Sequence, residues 1–274
     1  MRKVELVKGI SSSALGFGCA PILGSVGRKA ASRAIEVALD CGITHFDLAR
    51  SYGYGEAEAF VGNLLKQRRS EVVLASKFGI KANWKAQFFK PIKPAVRSAL
   101  KALKKKDTKV EGGQSLSVAD RFHDRIPLRG VEMRKSLEKS LRVLNTDYLD
   151  YFFVHEPREA LIYFDELEEM ATLLKKEGKI RAWGLAYMRS QEMMHQAYLH
   201  KFDLLQFDNS PGAMGYEQKV QERGENSNII FSPLKGGSTL LSPNEKLAKL
   251  FQDFPKSVIL CSMFNERHLR ANCL

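Results

Sequence analysis

The stretch Thr44–Glu58, THFDLARSYGYGEAE, contains the parts of a strand-to-helix unit in consecutive order. A short apolar strand runs into Asp47, a polar turn with two tyrosines and two glycines follows, and a helix begins. An aspartate and a tyrosine placed five residues apart at the end of a strand, here Asp47 and Tyr52, can both point into one pocket. The stretch therefore predicts a β-to-α unit with polar groups at its mouth.

The same alternation of patterns continues on both sides of this unit. Apolar residues with a period of two alternate with amphipathic segments of period 3.6. Predicted strands cover 4–7, 14–19, 43–46, 72–76, 148–154, 180–185, 204–207, 229–231 and 257–260, and predicted helices cover 32–39, 56–67, 131–144, 162–176, 190–199 and 244–254, with a last helix from about residue 266.

Repeated β/α alternation along 274 residues predicts the α/β class and a closed (β/α)8 TIM barrel in one domain, residues 1–274. The alternative is an open doubly wound sheet, which usually has a glycine-rich turn and a helix directly after its first strand. Here Gly16-Phe17-Gly18 is followed by Cys19-Ala20-Pro21, and no helix begins there. The barrel is therefore the favoured fold.

A long basic insertion, at about residues 80–130, separates the third strand from the third barrel helix. Between Lys81 and Lys109 ten basic residues face one acidic residue, so this segment holds most of the net charge of +12. It contains a short basic amphipathic helix, at residues 95–106. Three interpretations stay open: a solvated face, a cationic rim that attracts anionic substrates, and a nucleic-acid or membrane contact. The last is least favoured because aromatic residues are few.

Other features of the chain limit the class of protein. The first ten residues, MRKVELVKGI, lack the apolar core of a signal peptide, and no apolar run approaches the ~18 to 20 residues that a membrane span requires. The four cysteines are far apart and show no CxxC pairing, which predicts free thiols and neither disulfides nor zinc. The histidines form no metal-spaced cluster, so no metal is expected. We expect a cytoplasmic protein.

Polar residues follow three successive predicted barrel strands. Asp47 follows the second strand, Lys77 the third and His155 the fourth, and Tyr52 lies in the loop after Asp47. In a TIM barrel, chemistry takes place where strands end. A phenol with a pKa of ~10 is a poor acid at neutral pH unless it is tuned. A nearby ammonium lowers that pKa, a carboxylate holds the ammonium in place, and an imidazole can orient a substrate oxygen.

With these residues in place, the sequence resembles the aldo-keto reductase superfamily over nearly its whole length. The stretches that carry the resemblance occur in the family's order, and together they are far more specific than any one alone: FDLARSYGYGEAE (46–58), ASKFG (75–79), YLDYFFVHEP (148–157), GKIRAWGL (178–185), LLQFDNSP (204–211), IIFSPLKGG (229–237) and ERHLRAN (266–272).

The resemblance implies a catalytic set and a nicotinamide cofactor. Tyr52 would donate the proton, Lys77 would lower the pKa of Tyr52, Asp47 would anchor Lys77, and His155 would orient the substrate carbonyl. NADPH is the expected cofactor, with NADH as the alternative. The expected cofactor contacts are Gly18, Cys19, Asp47, Gln206, Phe231, Ser232, Leu234, Gly236, Ser262, His268 and Asn272.

Two stretches depart from the family's pattern. The fifth strand usually ends Gly-x-Ser-Asn, but this chain has Gly184-Leu185-Ala186-Tyr187, which removes polar groups that hold the carboxamide. The closing segment has Ser262-Met263-Phe264 where a basic residue usually contacts the 2′-phosphate, which leaves Arg267, His268 or Arg270 as substitutes.

Two aromatic residues are candidates for the substrate pocket, each with an alternative role. Trp84 lines the pocket or anchors its loop. Tyr187 lines the pocket or fills the space of the usual asparagine. A third aromatic residue, Phe231, is a candidate for the cofactor site: it stacks on the nicotinamide or belongs to the apolar top of the barrel.

The resulting prediction is reduction of a small-molecule aldehyde or ketone to an alcohol, with hydride from NAD(P)H and a proton from Tyr52. An anionic carbonyl compound is one of the expected substrates. The expected oligomeric state is a monomer or a weak oligomer. The alternative function is a regulatory barrel protein that binds the cofactor and turns over little or no substrate.

Overall fold

The chain is described by a computed structural model that covers residues 1–83 and 122–273. Eight parallel strands close into a barrel. These strands are β3 (Leu15–Gly18), β4 (His45–Asp47), β5 (Val73–Phe78), β8 (Leu149–His155), β9 (Ile180–Tyr187), β10 (Leu204–Asp208), β11 (Asn228–Phe231) and β12 (Val258–Cys261). Their order around the barrel is β10-β11-β12-β3-β4-β5-β8-β9. The prediction of a (β/α)8 barrel is confirmed.

The barrel strands are short and apolar because both of their faces are covered. Every residue of β8 is buried, and so is every residue of β5. Parallel sheets require this, since one face packs on the helices and the other fills the barrel. One core cluster lies between strands and helices, and a second fills the barrel interior, with Ala75, Tyr151 and Phe153 among its members.

Helices connect the strands and pack through apolar stripes. The helices of the described residues are α1 (Arg28–Asp40), α2 (Ala57–Leu65), α3 (Gly130–Leu144), α4 (Phe164–Lys176), α5 (Glu192–His195), α6 (Tyr216–Arg223), α7 (Pro243–Asp253) and α8 (Glu266–Asn272). In α1 the residues Ala31, Ala34, Ile35 and Ala38 are buried at helical spacing, and Gly42 follows the helix end with φ 80°.

An antiparallel hairpin of β1 (Lys3–Val7) and β2 (Ile10–Ser13) precedes the barrel. Its residues Val4, Leu6 and Ile10 are buried and belong to the interior cluster. Only the first strand of this hairpin was expected from the pattern. The hairpin therefore closes the end of the barrel opposite the strand ends that carry the polar residues.

The insertion begins and ends in an antiparallel pair of strands, β6 (Ile80–Ala82) and β7 (His123–Arg125). This pairing brings the two ends of the insertion together beside the barrel mouth. The predicted basic helix at 95–106, most of the basic segment and Trp84 lie outside the described residues.

The predicted helix at 190–199 is wrong in its extent. Only Glu192–His195 is α-helical, between 3-10 turns at Arg189–Gln191 and Gln196–Lys201. The His195 ring contacts the Tyr198 hydroxyl at 2.7 Å and the Pro157 carbonyl oxygen at 3.3 Å. A segment this short takes its shape from tertiary contacts, because helix propensity alone contributes little.

Candidate active site

Asp47, Tyr52, Lys77 and His155 meet at one end of the barrel. Asp47 is the last residue of β4, Lys77 is the penultimate residue of β5, and His155 is the last residue of β8. Because β4, β5 and β8 are adjacent and parallel, their carboxyl ends open on the same mouth. Tyr52 reaches this mouth from the 3-10 turn Tyr52–Gly55.

The turn after Asp47 depends on backbone conformations that glycine favours. Gly53 has φ 60°, and a Cβ there would lie 2.5 Å from the Ile22 carbonyl oxygen. Tyr54 also has φ 60°, and its ring contacts Phe122 edge-on at 5.6 Å. The turn therefore brings the Tyr52 phenol over the barrel, while Tyr54 packs to the side.

The Lys77 ammonium donates three hydrogen bonds at the barrel mouth. Its Nζ donates to Asp47 Oδ2 at 2.5 Å, to the Leu48 carbonyl oxygen at 2.8 Å and to the Tyr52 hydroxyl at 3.3 Å. Lys77 and Asp47 are 2% and 3% exposed, so neither charge is screened by bulk water. A buried ammonium with three acceptors has all of its protons satisfied.

Burial and charge act in opposite directions on Lys77 and Tyr52. Burial lowers the pKa of Lys77, but the Asp47 carboxylate and the Tyr52 phenol outweigh it, so the pKa of Lys77 is raised and the side chain stays an ammonium. Burial raises the pKa of Tyr52 to about 12, and Lys77 opposes that shift.

The effect of Lys77 on Tyr52 therefore has the predicted sign, but it does not dominate in the free protein. Tyr52 stays protonated at neutral pH, which is the state that a proton donor needs.

His155 faces the Tyr52 ring edge-on, with ring centroids 6.0 Å apart. Burial, with help from the charges of Lys77 and Arg125, holds the pKa of His155 well below 6.5. The imidazole is therefore neutral at pH 7. A neutral imidazole still has one N–H group, so it can donate a hydrogen bond to a substrate oxygen.

A cavity of about 350 Å³ opens beside these four residues. We call it the mouth cavity. It is lined by Gly18, Ala20, Asp47, Tyr52, Lys77, His155, Glu156, Ala186, Gln206, residues 231–235 and residues 260–263.

Gln206 presents an open acceptor to the mouth cavity. Its Nε2 donates to Asp47 Oδ1 at 3.2 Å, whereas its buried Oε1 has no hydrogen-bond partner among residues 1–83 and 122–273. A buried acceptor of this kind requires a donor. The amide of a nicotinamide carboxamide has two N–H donors, so the residues present fit this group, and the half-buried Phe231 ring lies on the same wall.

Most of the residues expected to bind the cofactor line the mouth cavity, and a smaller set does not. Gly18, Asp47, Gln206, Phe231, Ser232, Leu234 and Ser262 line it. Cys19 is fully buried, with its thiol directed to the Phe17 carbonyl oxygen, and Asn272 donates to Met263 Sδ. Gly236, His268 and Asn272 lie outside the cavity lining in the described structure.

Ala186 and Tyr187 point in opposite directions. Ala186 lines the mouth cavity, whereas Tyr187 is fully buried in the layer between strands and helices, near Phe207 and His195. Neighbouring residues of a strand face opposite sides. The structure therefore gives Tyr187 no contact with the cavity, and it packs in the outer core.

Glu156 is a cavity residue that the pattern of the sequence did not single out. The signal was present, because Glu156 directly follows His155 at the end of β8.

No group of three or more His, Cys, Asp and Glu side chains that could hold a metal ion occurs in the described ranges. The four cysteines are free thiols. Of the helices described, none has the length and apolar character to cross a membrane.

The model of the aldo/keto reductase family matches residues 14–242. This match covers most of the chain, including the strands that carry Asp47, Lys77, His155 and Gln206. The chain belongs to the aldo/keto reductase family. The family resemblance drawn from the motifs is thereby confirmed.

Named relatives of this chain include bacterial proteins. The chain is 29% identical over 191 residues to the aldo-keto reductase YhdN of Bacillus subtilis, covering 68% of this chain and 46% of the relative. It is 27% identical over 250 residues to an NADH-specific methylglyoxal reductase of Escherichia coli, covering 86% of this chain and 68% of the relative. The matched part thus spans about half the length of the first relative.

Solved structures share the fold. An aldo-keto reductase from Bacillus halodurans, in its holo form, superposes with a TM-score of 0.68 at 22% identity and covers 100% of this chain and 90% of its own. An aldo-keto reductase from Klebsiella pneumoniae in complex with NADPH has a TM-score of 0.63 at 21% identity, with 99% and 88% covered. These similarities show the barrel fold.

Proposed function

We propose that this protein reduces a small aldehyde or ketone to an alcohol with NAD(P)H, and that Tyr52 donates the proton. The observation that carries the proposal is the buried contact of the Lys77 ammonium with both Asp47 and Tyr52 beside the mouth cavity. Family membership and the names of the relatives support the same class of reaction.

The chain's own residues account for the proton and for the substrate's orientation. A nicotinamide held in the mouth cavity would supply the hydride that the carbonyl carbon accepts. Negative charge then develops on the carbonyl oxygen, where the neutral His155 ring donates a hydrogen bond and the Tyr52 hydroxyl delivers its proton. The Lys77 ammonium, 3.3 Å from the Tyr52 oxygen, stabilises the phenolate that is left. Hydride and proton together convert the carbonyl to an alcohol.

Gln206 is the residue best placed to hold the carboxamide of the cofactor, because its Oε1 is a buried acceptor without a partner in the described structure. Phe231 would pack on the nicotinamide ring, and Ser232 and Leu234 would contact the pyrophosphate. The relatives include both an NADH-specific enzyme and one whose name specifies NADP(+), so either cofactor fits the proposal.

One observation favours the second candidate, a cofactor-binding regulatory protein with little turnover. Ala186 lines the mouth cavity where a side-chain hydrogen bond to the cofactor is usual for the family. A single-turnover measurement with bound NADPH and butanal separates the two functions, because rapid oxidation of the bound cofactor excludes the regulatory one.

Replacing the phenol tests the assigned mechanism. We expect Tyr52→Phe to lower kcat by about 10²- to 10⁴-fold, because one proton donor is removed, while NADPH binds with unchanged affinity. Oxidation of NADPH against a panel of aldehydes gives the rates, and fluorescence titration gives the binding.

Tyr54→Phe is the matched control, since Tyr54 lies in the same turn and packs on Phe122. It should keep the wild-type rate. An unchanged rate in Tyr52→Phe would contradict the mechanism.

A further inference from the structure

Glu156 is an acidic residue in the wall of the mouth cavity, next to the proposed catalytic set. It directly follows His155 at the end of β8, and it is half-buried. Its backbone has φ 43°, in the left-handed region that side chains other than glycine adopt rarely. Such a conformation persists where surrounding contacts hold it, and such residues occur at functional sites more often than elsewhere.

The contacts that hold Glu156 involve only its backbone. Its N–H donates to the Ala186 carbonyl oxygen at 2.7 Å, and its carbonyl oxygen accepts from Arg125 Nη1 at 2.7 Å. Within the described ranges no hydrogen bond or ion pair is found to the Glu156 carboxyl group. The two backbone bonds therefore fix the residue at the wall and leave the carboxyl oxygens available to a ligand.

Three cations lie near Glu156, but among the described residues none of them forms an ion pair with its carboxyl group. Burial raises the pKa of its carboxyl group, and it outweighs the opposing charges of Lys77, Arg125 and Arg158. Lys77 is already bound to Asp47 at 2.5 Å. The two arginines are exposed, so water screens their charges.

We propose that Glu156 selects the substrate: it favours carbonyl compounds that carry a hydroxyl or ammonium group close to the carbonyl, and it disfavours carboxylates. The inference rests on the proposed reductase function. A half-buried acceptor without a donor among the described residues is satisfied by a donor on the substrate, whereas a substrate carboxylate near Glu156 is repelled. Sites of this kind discriminate strongly, because the wrong substrate leaves a polar group unpaired.

The assignment differs from the expectation of an anionic substrate drawn from the basic segment. That expectation depends on residues that lie mostly outside the described ranges. Lys235, which also lines the mouth cavity, is exposed and belongs to the loop after β11, on the side of the proposed pyrophosphate contacts. On the side of His155, Glu156 is the charged residue of the cavity lining for which the described structure shows no ion pair.

Two matched pairs of aldehydes test the proposal. For the carboxylate pair, kcat/KM is compared between succinic semialdehyde and butanal, and Glu156→Gln should raise this ratio by about tenfold because repulsion is removed. For the donor pair, DL-glyceraldehyde is compared with propanal, and Glu156→Ala should lower that ratio by about tenfold because the acceptor is lost. Using ratios cancels any effect of Glu156 on the pKa of Tyr52.

Glu159→Gln is the control, because Glu159 is exposed three residues further along the same loop. It should leave both ratios at the wild-type value. Ratios that stay within twofold of wild type in the Glu156 variants, with butanal and propanal still reduced, would overturn the assignment to Glu156. Failure of the wild type to reduce any aldehyde would instead contradict the proposed reductase function.

A binding measurement tests Glu156 without relying on turnover. Ligand-observed NMR should show that butyrate binds the wild type more weakly than butyramide does, and that Glu156→Gln removes the difference. If butyrate and butyramide bind equally well, or neither binds, in both wild type and variant, the proposed selection is wrong.

Discussion

Lys77 illustrates how a single side chain acquires its role from its neighbours. Alone at the end of a strand, a lysine is more often a solvated residue. In this protein it is buried, bound to Asp47, and 3.3 Å from the Tyr52 hydroxyl. Lys77 keeps its positive charge because burial lowers its pKa by less than the nearby Asp47 carboxylate and Tyr52 phenol raise it.

Ala186 is the residue whose replacement should strengthen the cofactor site. It lies beside Gln206 in the register of β9 and β10, and it lines the mouth cavity. Ala186→Ser adds a hydroxyl that can bond the carboxamide. We expect it to tighten NADPH binding by about 1 kcal/mol, or about fivefold in Kd, as measured by fluorescence titration.

Ala160→Ser, at an exposed position, is the control and should bind NADPH as the wild type does. Weaker or unchanged binding in Ala186→Ser would show that the side chain at this position does not contact the carboxamide.

At the scale of elements, Gly62 of α2 lies directly against the backbone at the end of α3, with no room for a side chain. A Cβ on Gly62 would lie 2.4 Å from the Leu144 carbonyl oxygen and 2.6 Å from its Cα. Because both atoms belong to the backbone, the contact cannot be relieved by a change of rotamer. The close approach seats α2, which follows the Tyr52 turn, against the end of α3.

Gly62→Ala should therefore lower the free energy of unfolding by about 1 to 3 kcal/mol through overpacking. Urea denaturation measures the change. Gly24→Ala is the control, because a Cβ at Gly24 would find its nearest neighbour at 3.5 Å, an ordinary van der Waals distance. Equal stability of the two variants would contradict the proposed close packing.

The strength of the local pattern decides which elements can be predicted. The predicted helix at 131–144 matches Gly130–Leu144 closely, because its apolar stripe continues for several turns and Asn145 ends it with φ 55°. The predicted helix at 190–199 breaks into short pieces, because the contacts of His195 with the preceding loop override a weak pattern.

At the scale of the whole molecule, the barrel interior contains a buried histidine whose protonation opposes folding. His45 is fully buried, stacks on Tyr151 at 5.8 Å, and has no hydrogen bond from its ring within the described residues. Burial, followed by the charge of Lys77, lowers its pKa from 6.5 to about 3. The folded state therefore keeps His45 neutral at pH values where the unfolded chain binds a proton.

The consequence is a loss of stability in acid. Above pH 6.5 both states are neutral at His45 and its pKa shift has no effect on stability. Between about pH 6.5 and about pH 3 the unfolded state binds the additional proton, so the free energy of unfolding falls by roughly 1.4 kcal/mol per pH unit for this group. The lowered pKa of His155 contributes with the same sign.

Urea unfolding of wild type and His45→Gln between pH 7.5 and pH 5 tests this effect. The variant should show a shallower decline below pH 6.5, by roughly 1.4 kcal/mol per pH unit, because glutamine does not titrate. His200→Gln, at an exposed histidine, should keep the wild-type slope. Parallel slopes for wild type and His45→Gln would refute the assignment.

The barrel and the placement of Asp47, Tyr52, Lys77 and His155 at its mouth can be predicted from the amino-acid sequence. Both depend on local patterns, namely the alternation of strand and helix periods and the polar residue that ends each strand. Parallel strands then bring their carboxyl ends to one side, so residues far apart in sequence become neighbours without further information.

Which residues of the strand ends line the mouth cavity becomes known only from the folded barrel. In the structure, Ala186 lines the cavity and Tyr187 is buried in the outer core, while Glu156 lies in the cavity wall. Gln206 and Asp47, 159 residues apart in the sequence, form a hydrogen bond. The physical reason is the period of two along a strand, since a shift of one residue exchanges the two faces. Strands buried on both faces are apolar on both, so their sequence does not mark the inner one.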